Sequence, residues 1–285
     1  MSEFHRTIAA VAPSGIHNPS KLSESIRLVE SWGHKVICGP NHEKRHLYTA
    51  GTLSERLSDL RWAIESPDID LIWFIRGGYG TAQLLPHLPS FCDKPILGFS
   101  DATALLAHGW HATPEKPRWQ KLYHGPVLNS LHSLCDLTSQ QHVQHWLTTD
   151  QTPNITGEYA FGPNTTVSGP IVGGNLCVLA SLCGGNVLGN YKGCILALED
   201  IAEPLYKIDR MLLQLEISGM FNGVSGILLG SFHNCHPPKD ADYTLMDVLK
   251  ERLAHLNIPV YINSPFGHNE VNWLWQYGQI VQLGE

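Results

Sequence analysis

The chain has 285 residues, 43% of them hydrophobic and 16% charged, enough to bury the core of one large or two modest domains. Its formal net charge of −7, with no stripe of lysine and arginine, argues against nucleic acid as a partner, because nothing is there to neutralise phosphates. No apolar run approaches the ~20 residues of a membrane span, so a soluble, cytoplasmic protein with no membrane partner is expected.

The amino-terminal text MSEFHRTIAAVAPSG holds only a short apolar run, shorter than a secretory signal needs, and reads as a first buried strand over residues 7–12. A helix is expected over residues 20–32, a short strand at 36–37, and then a helix opened by the capping box Thr52-Leu53-Ser54-Glu55. Strands follow at 71–74 and 95–98. This alternation predicts a mostly parallel sheet covered by helices, an α/β domain over residues 1–150, with ligands gathering beyond the carboxyl ends of its strands. Two loops occupy those ends: Arg76-Gly77-Gly78-Tyr79-Gly80 and Ser100-Asp101. Residues 151–168 are polar, rich in Gly, Pro, Asn and Thr and without periodicity, and read as a linker. A second α/β domain with a mixed sheet is expected over residues 169–285, with strands at 195–198, 226–230 and 260–262 and helices over 204–219 and 244–256.

The chemistry concentrates at strand ends. In PILGFSDATALLAH an apolar strand turns through Gly98-Phe99-Ser100-Asp101 into a helix, the setting of a nucleophile elbow that exposes a serine hydroxyl. Ala102 breaks the usual G-x-S-x-G spelling, and Ser100 has a second reading as a helix N-cap. Glu199, followed by Asp200, ends the buried run Ile195-Leu196-Ala197-Leu198; it is either a charge at a helix N-terminus or a functional acid. His268 sits in the Pro/Gly-rich loop SPFGHNE and is either solvated or a base. Ser100, Glu199 and His268 run in the order nucleophile, acid, histidine, as in α/β serine hydrolases. The glycines Gly77 and Gly78 let a backbone N–H approach an oxyanion beside the N–H of Asp101, or serve only a tight turn. HEKRH, His42 to His46, matches H-E-x-x-H with Glu65 downstream, but Lys44 and Arg45 lie inside it and Pro40, Asn41 and Gly51 flank it, so it reads as a solvated loop and no metal is expected. Seven cysteines, odd in number and never spaced C-x-x-C, read as small core residues.

Taken together, VAPSG, RGGYG, GFSDATALL, HGP, GGNLCVLASLCGG, ALEDIAEPLYKIDRMLLQL, GILLGSF and PFGH, in this order over nearly the whole chain, resemble the serine LD-carboxypeptidases, the murein tetrapeptide carboxypeptidase family that also holds the microcin-immunity peptidases. The resemblance implies Ser100 as nucleophile, Glu199 as acid and His268 as base, with Asp101 and Gly78, or Gly77, as oxyanion donors. It implies a two-domain α/β enzyme without cofactor or metal, cytoplasmic and homodimeric. Its substrate would be a small muropeptide, from which it releases terminal D-alanine. Arg76, Lys207 and Arg210 are the cations nearest the motifs, each a candidate for substrate binding or for a structural ion pair. The stretch Asn272-Trp273-Leu274-Trp275-Gln276-Tyr277-Gly278 departs from the family's Thr-Leu-Pro-Leu-Gly-like strand, and its tryptophans either cover the sheet or line the pocket. Two other functions share these motifs: a peptidase that detoxifies a peptide-nucleotide antibiotic, and a non-catalytic muropeptide-binding protein.

Overall fold

The computed structural model describes residues 5–110, 119, 121–185 and 187–284; residues 1–4, 111–118, 120, 186 and 285 lie outside the described set. In the first half, β1 (Thr7–Val11), α1 (Pro19–Ser31), β2 (Lys35–Cys38), α2 (Leu53–Glu65), β3 (Leu71–Phe74), β4 (Ile96–Gly98), α3 (Thr103–Trp110), β5 (Leu122–His124), α4 (Leu128–Leu131) and α5 (Leu137–Thr149) follow one another. The second half holds β6 (Glu158–Phe161), β7 (Val167–Asn175), α6 (Leu176–Leu182), β8 (Ile195–Ile201), α7 (Leu205–Ile217), β9 (Gly226–His233), α8 (Leu245–Leu253), β10 (Val260–Ile262), β11 (Trp275–Gln276) and β12 (Ile280–Leu283). Polar side-chain caps start several of the helices. Asn18 accepts from the N–H groups of Ser20 and Lys21 with Pro19 at the first helical position, and Thr52 with Glu55 and Thr244 with Asp247 close reciprocal capping boxes.

Two six-stranded sheets result. The first has the order β11-β5-β4-β3-β1-β2 and is parallel except for β11. The second, β12-β7-β8-β9-β10-β6, is parallel in its centre with antiparallel β12 and β6 at its edges. β3 reads LIWF and is buried at every position, as a central parallel strand covered on both faces must be. Two features depart from the expected layout. Residues 158–161, inside the stretch read as a linker, form β6 and pair with β10. β11, close to the carboxyl end, leaves the second half to pair with β5 in the first sheet.

The halves meet where β7 ends against the start of α3. A Cβ at Gly174 would lie 2.6 Å from Thr103 Oγ1, a clash, so only glycine allows this approach. The adjacent Asn175 N–H donates to Thr103 Oγ1 at 3.0 Å. The carboxyl ends of β4 and β8 are thereby brought to a common edge.

Candidate active site

Ser100 follows β4 at the first position of a 3-10 turn, Ser100–Ala102, with φ of +61°. A left-handed serine costs roughly 1–2 kcal/mol and is held only where its surroundings enforce it. An N-cap uses extended backbone instead, so the capping alternative for Ser100 does not apply. The RGGYG loop lies directly over this corner: a Cβ at Gly77 would fall 2.8 Å from Ser100 Cβ and 2.9 Å from its Oγ. The Gly77 carbonyl accepts from Gly15 N–H at 3.1 Å. Because a trans peptide aims its N–H opposite to its carbonyl, the Gly78 N–H points away from Gly15. Asp101 N–H lies in the first turn of its helix, where no intrahelical acceptor exists. The Asp101 carboxylate is buried and accepts from Thr81 N–H at 2.8 Å, which ties the elbow to the end of the RGGYG loop.

Glu199 is fully buried and sits inside β8, which continues to Ile201 rather than stopping at residue 198. The β8 register against β9 shifts between Leu198 and Asp200, a bulge that re-aims Glu199. Its Oε2 accepts from His268 Nδ1 at 2.6 Å, which leaves Nε2 of that imidazole as the proton acceptor. Burial alone would raise the Glu199 carboxyl; the charge and hydrogen bond of His268 outweigh it, and the net shift is downward. For His268, burial lowers and the Glu199 carboxylate raises, with the net shift upward. The His268 ring rests on Phe99, the residue preceding Ser100, with centroids 4.6 Å apart.

Neighbouring groups brace this arrangement. Asp200 turns the other way and accepts from Asn175 Nδ2, Cys177 N–H and Ile201 N–H; burial, then the Glu199 charge, push its carboxyl up to about 6. His124, at the end of β5, is fully buried, stacked on Trp275 at 4.8 Å and edge-on to Phe99, and burial pushes it down to about 4, so it is a neutral imidazole.

Arg56 is a further residue of the site that no local motif marks. It is buried and donates to the carbonyls of Pro13, Gly51 and Gly80 and to Gln83 Oε1, gathering three loops at the carboxyl ends of the first sheet. Its signal was its place on the stripe of Leu60 and Ala63, at i, i+4 and i+7 of α2. The candidate cations are exposed: Arg76 donates to Ile16 O, Lys207 pairs with Glu203 at 3.3 Å, and Arg210 lies over the Tyr206 ring at 5.4 Å. None of the three forms a hydrogen bond or ion pair with Ser100, Glu199 or His268 among the described residues. HEKRH forms a turn and loop, and no group of three or more His, Cys, Asp or Glu among the described residues is placed to hold a metal ion. Trp275 is buried against His124, whereas Trp273 packs on His142 at 4.4 Å. No helix of the described residues is long and apolar enough to cross a membrane.

The same architecture is found in known proteins. Residues 8–116 match the LD-carboxypeptidase N-terminal domain and residues 168–283 the LD-carboxypeptidase C-terminal domain. The chain is 34% identical to the murein tetrapeptide carboxypeptidase of Pseudomonas aeruginosa, over 97% of this chain and 92% of that one. It is 26% identical to the microcin C7 self-immunity protein of Escherichia coli, over 87% and 81%. The crystal structure of muramoyltetrapeptide carboxypeptidase from Oxalobacter formigenes superposes with a TM-score of 0.81 at 29% identity, covering 97% of this chain and 95% of that one. This chain therefore belongs to the LD-carboxypeptidase family and is a peptidase, a hydrolase of peptide bonds.

Proposed function

We propose that this protein is a serine LD-carboxypeptidase that releases the terminal D-alanine from murein-derived tetrapeptides, with Ser100 as nucleophile, His268 as base and Glu199 as the acid that orients it. The observation that carries the proposal is the 2.6 Å Glu199–His268 hydrogen bond, whose imidazole packs on Phe99, the residue before a serine held at φ +61°. In this reading His268 Nε2 takes the Ser100 proton as Oγ attacks the scissile carbonyl. Gly78 N–H and Asp101 N–H receive the charge on the carbonyl oxygen. The imidazolium, stabilised by the Glu199 carboxylate, then protonates the leaving amine of D-alanine, and water repeats the sequence to free the acyl chain. Gly77, where a Cβ would lie 2.8 Å from Ser100 Cβ, keeps this corner free of a side chain. All seven cysteines are free, which suits a reducing, cytoplasmic setting, and we include a homodimer in the same reading.

Replacing Ser100 with alanine tests the assignment. Hydrolysis is expected to fall to below about a thousandth of wild type with folding intact, because only the attacking oxygen is lost. A fluorophosphonate probe should label wild-type Ser100 and leave the variant unlabelled. A protein that binds muropeptide but takes no label would be a binding protein instead. The likeness to the microcin self-immunity protein supports one second substrate class, a peptide-nucleotide, and cleavage of such a compound but not of a tetrapeptide ending in D-alanine would transfer the assignment to it.

A further inference from the structure

Glu199 engages one carboxylate oxygen and leaves the other idle. Oε2 accepts from His268 Nδ1 at 2.6 Å, whereas Oε1 is buried and makes no hydrogen bond among the described residues. A neighbouring donor, Asn175 Nδ2, lies close enough to lower the Glu199 carboxyl but bonds Asp200 Oδ1 at 3.1 Å. A carboxylate offers about four acceptor sites, and in a water-excluded interior each one left empty forfeits a charge-assisted hydrogen bond. The demand is greatest at one moment of the proposed reaction, when His268 becomes an imidazolium and Glu199 must hold its full charge against it.

A second buried polar atom without a partner stands next to it. Ser231, in β9, has its Oγ closed off from solvent with no hydrogen bond among the described residues. The register of the strands puts the two residues side by side: Leu198 pairs with Leu229 and Asp200 with Phe232, so Glu199 alone stands opposite Gly230 and Ser231. Gly267, the residue before His268, shows that their side chains share one face. The position a Gly267 Cβ would take lies 2.5 Å from Ser231 Oγ, 3.1 Å from Glu199 Cβ and 3.2 Å from Glu199 Oε2. Both side chains thus border one space that a glycine leaves open. The Ser231 backbone is fixed there, its N–H donating to Phe266 O at 2.9 Å, and turning the side chain about its Cα–Cβ bond re-aims the hydroxyl without moving the strand.

We propose that Ser231 is a positioning residue for the acid: its hydroxyl donates to the Glu199 carboxylate and holds it in line with the His268 ring. The inference rests on the reading of Glu199 and His268 as the acid and base of the reaction. A hydroxyl suits this place because it has a proton to donate and carries no charge. A lysine or arginine would instead compete with the imidazolium for the same carboxylate. The donor has two effects. It keeps the carboxylate from turning away as the proton arrives on His268, and it draws off part of the negative charge that His268 feels. Without that task, the hydroxyl would be a buried polar group that destabilises the fold relative to alanine.

The test compares kcat, KM and the pH profile of kcat/KM for wild type, Ser231→Ala, Ser231→Cys and Ser231→Thr on a tetrapeptide ending in D-alanine. Alanine and cysteine, which lack a strong donor, should lower kcat roughly 5- to 50-fold at unchanged KM. Both should also move the acid limb upward by about half a pH unit, because His268 then faces an untempered carboxylate. Threonine restores the hydroxyl and should recover kcat and limb together. The other titratable groups around the pair are Asp200, pushed up to about 6, and His124, Cys235 and Tyr277, whose shifts keep them neutral. All four stay in place in every variant, so the difference between proteins reports on Glu199 and His268. Wild-type kcat and limb in Ser231→Ala, or a folded threonine variant as slow as alanine, would overturn the assignment. So would a raised KM with the limb unmoved. If wild type cleaves no tetrapeptide, the proposed function fails separately, and the His268 ring is then titrated by NMR in Ser100→Ala protein with and without Ser231→Ala. A higher His268 pKa in the double variant supports the donor, and an unchanged one refutes it.

Discussion

At the scale of single residues, the proposed chemistry depends on two opposing pressures on one imidazole. Burial drives His268 toward the neutral form, and the Glu199 carboxylate at 2.6 Å, with the Asp200 charge behind it, drives it toward the charged form; together these outweigh burial, so its pKa lies above the ordinary 6.5. A general base must be neutral, so activity should rise with pH through a midpoint above 6.5. Glu199→Gln removes the pressure that raises the pKa and keeps the burial. The midpoint of the acid limb should then fall below 6.5, while kcat drops roughly 10³- to 10⁴-fold because the imidazolium loses its counter-charge. A pH profile of kcat/KM for both proteins measures the two effects together. A variant with full kcat and an unmoved limb would show that Glu199 does not act on His268.

At the scale of elements, the decisive contacts join segments that are remote in sequence. Thr103 opens α3, three residues after Ser100, and its hydroxyl accepts from the buried Asn175 N–H at the end of β7. Asn175 in turn caps α6 through Val178 N–H and donates to Asp200, the neighbour of Glu199. One short chain of hydrogen bonds thus connects the serine's helix to the strand of the acid. Thr103→Val keeps the shape and leaves a buried N–H unpaired, at a cost of about 1–3 kcal/mol. Thermal melts should show this loss, kcat/KM should fall with it, and Thr103→Ser, which restores the acceptor, should recover both. Such contacts explain which parts of the molecule could be read in advance. Strands β3 and β10 coincide with the runs expected at 71–74 and 260–262, because dense apolar text encodes burial directly. β6 escaped notice because two of its four residues are exposed, and pairing with β10 rather than burial holds it. β8 was expected to stop at residue 198 because Glu and Asp disfavour strands, yet both are buried there by partners from other segments. Arg56 and His124 likewise depend on carbonyls and rings far away in the chain, which no local pattern encodes.

At the scale of the whole molecule, the last described residues staple the two sheets together. Trp275 in β11 pairs with His124 of the first sheet, and β12, starting at Ile280, pairs with β7 of the second. Between them the staple is as tight as a chain permits: Tyr277 N–H donates to Leu122 O, and the next residue, Gly278, donates to Ile171 O. Neither sheet is complete without this segment, so the halves should unfold as one cooperative unit rather than in sequence. Trp275→Ala tests this, because the tryptophan is fully buried and packs on His124, Phe266 and Tyr277. Truncating a buried tryptophan costs about 3–5 kcal/mol, which should lower the melting temperature by about 6 °C or more. The informative measurement is whether far-ultraviolet circular dichroism, near-ultraviolet signal and activity are lost in one coincident transition, in wild type and in the variant alike. Ile280→Ser, on an exposed position of β12, should leave the melt within about a degree or two of wild type and serves as the control. Two separated transitions, with the first sheet melting while the second persists, would mean that the carboxyl-terminal segment decorates two independent domains. Ser100 and the Glu199–His268 pair would then be held together by local contacts such as Thr103–Asn175 and Phe99–His268 rather than by a shared core.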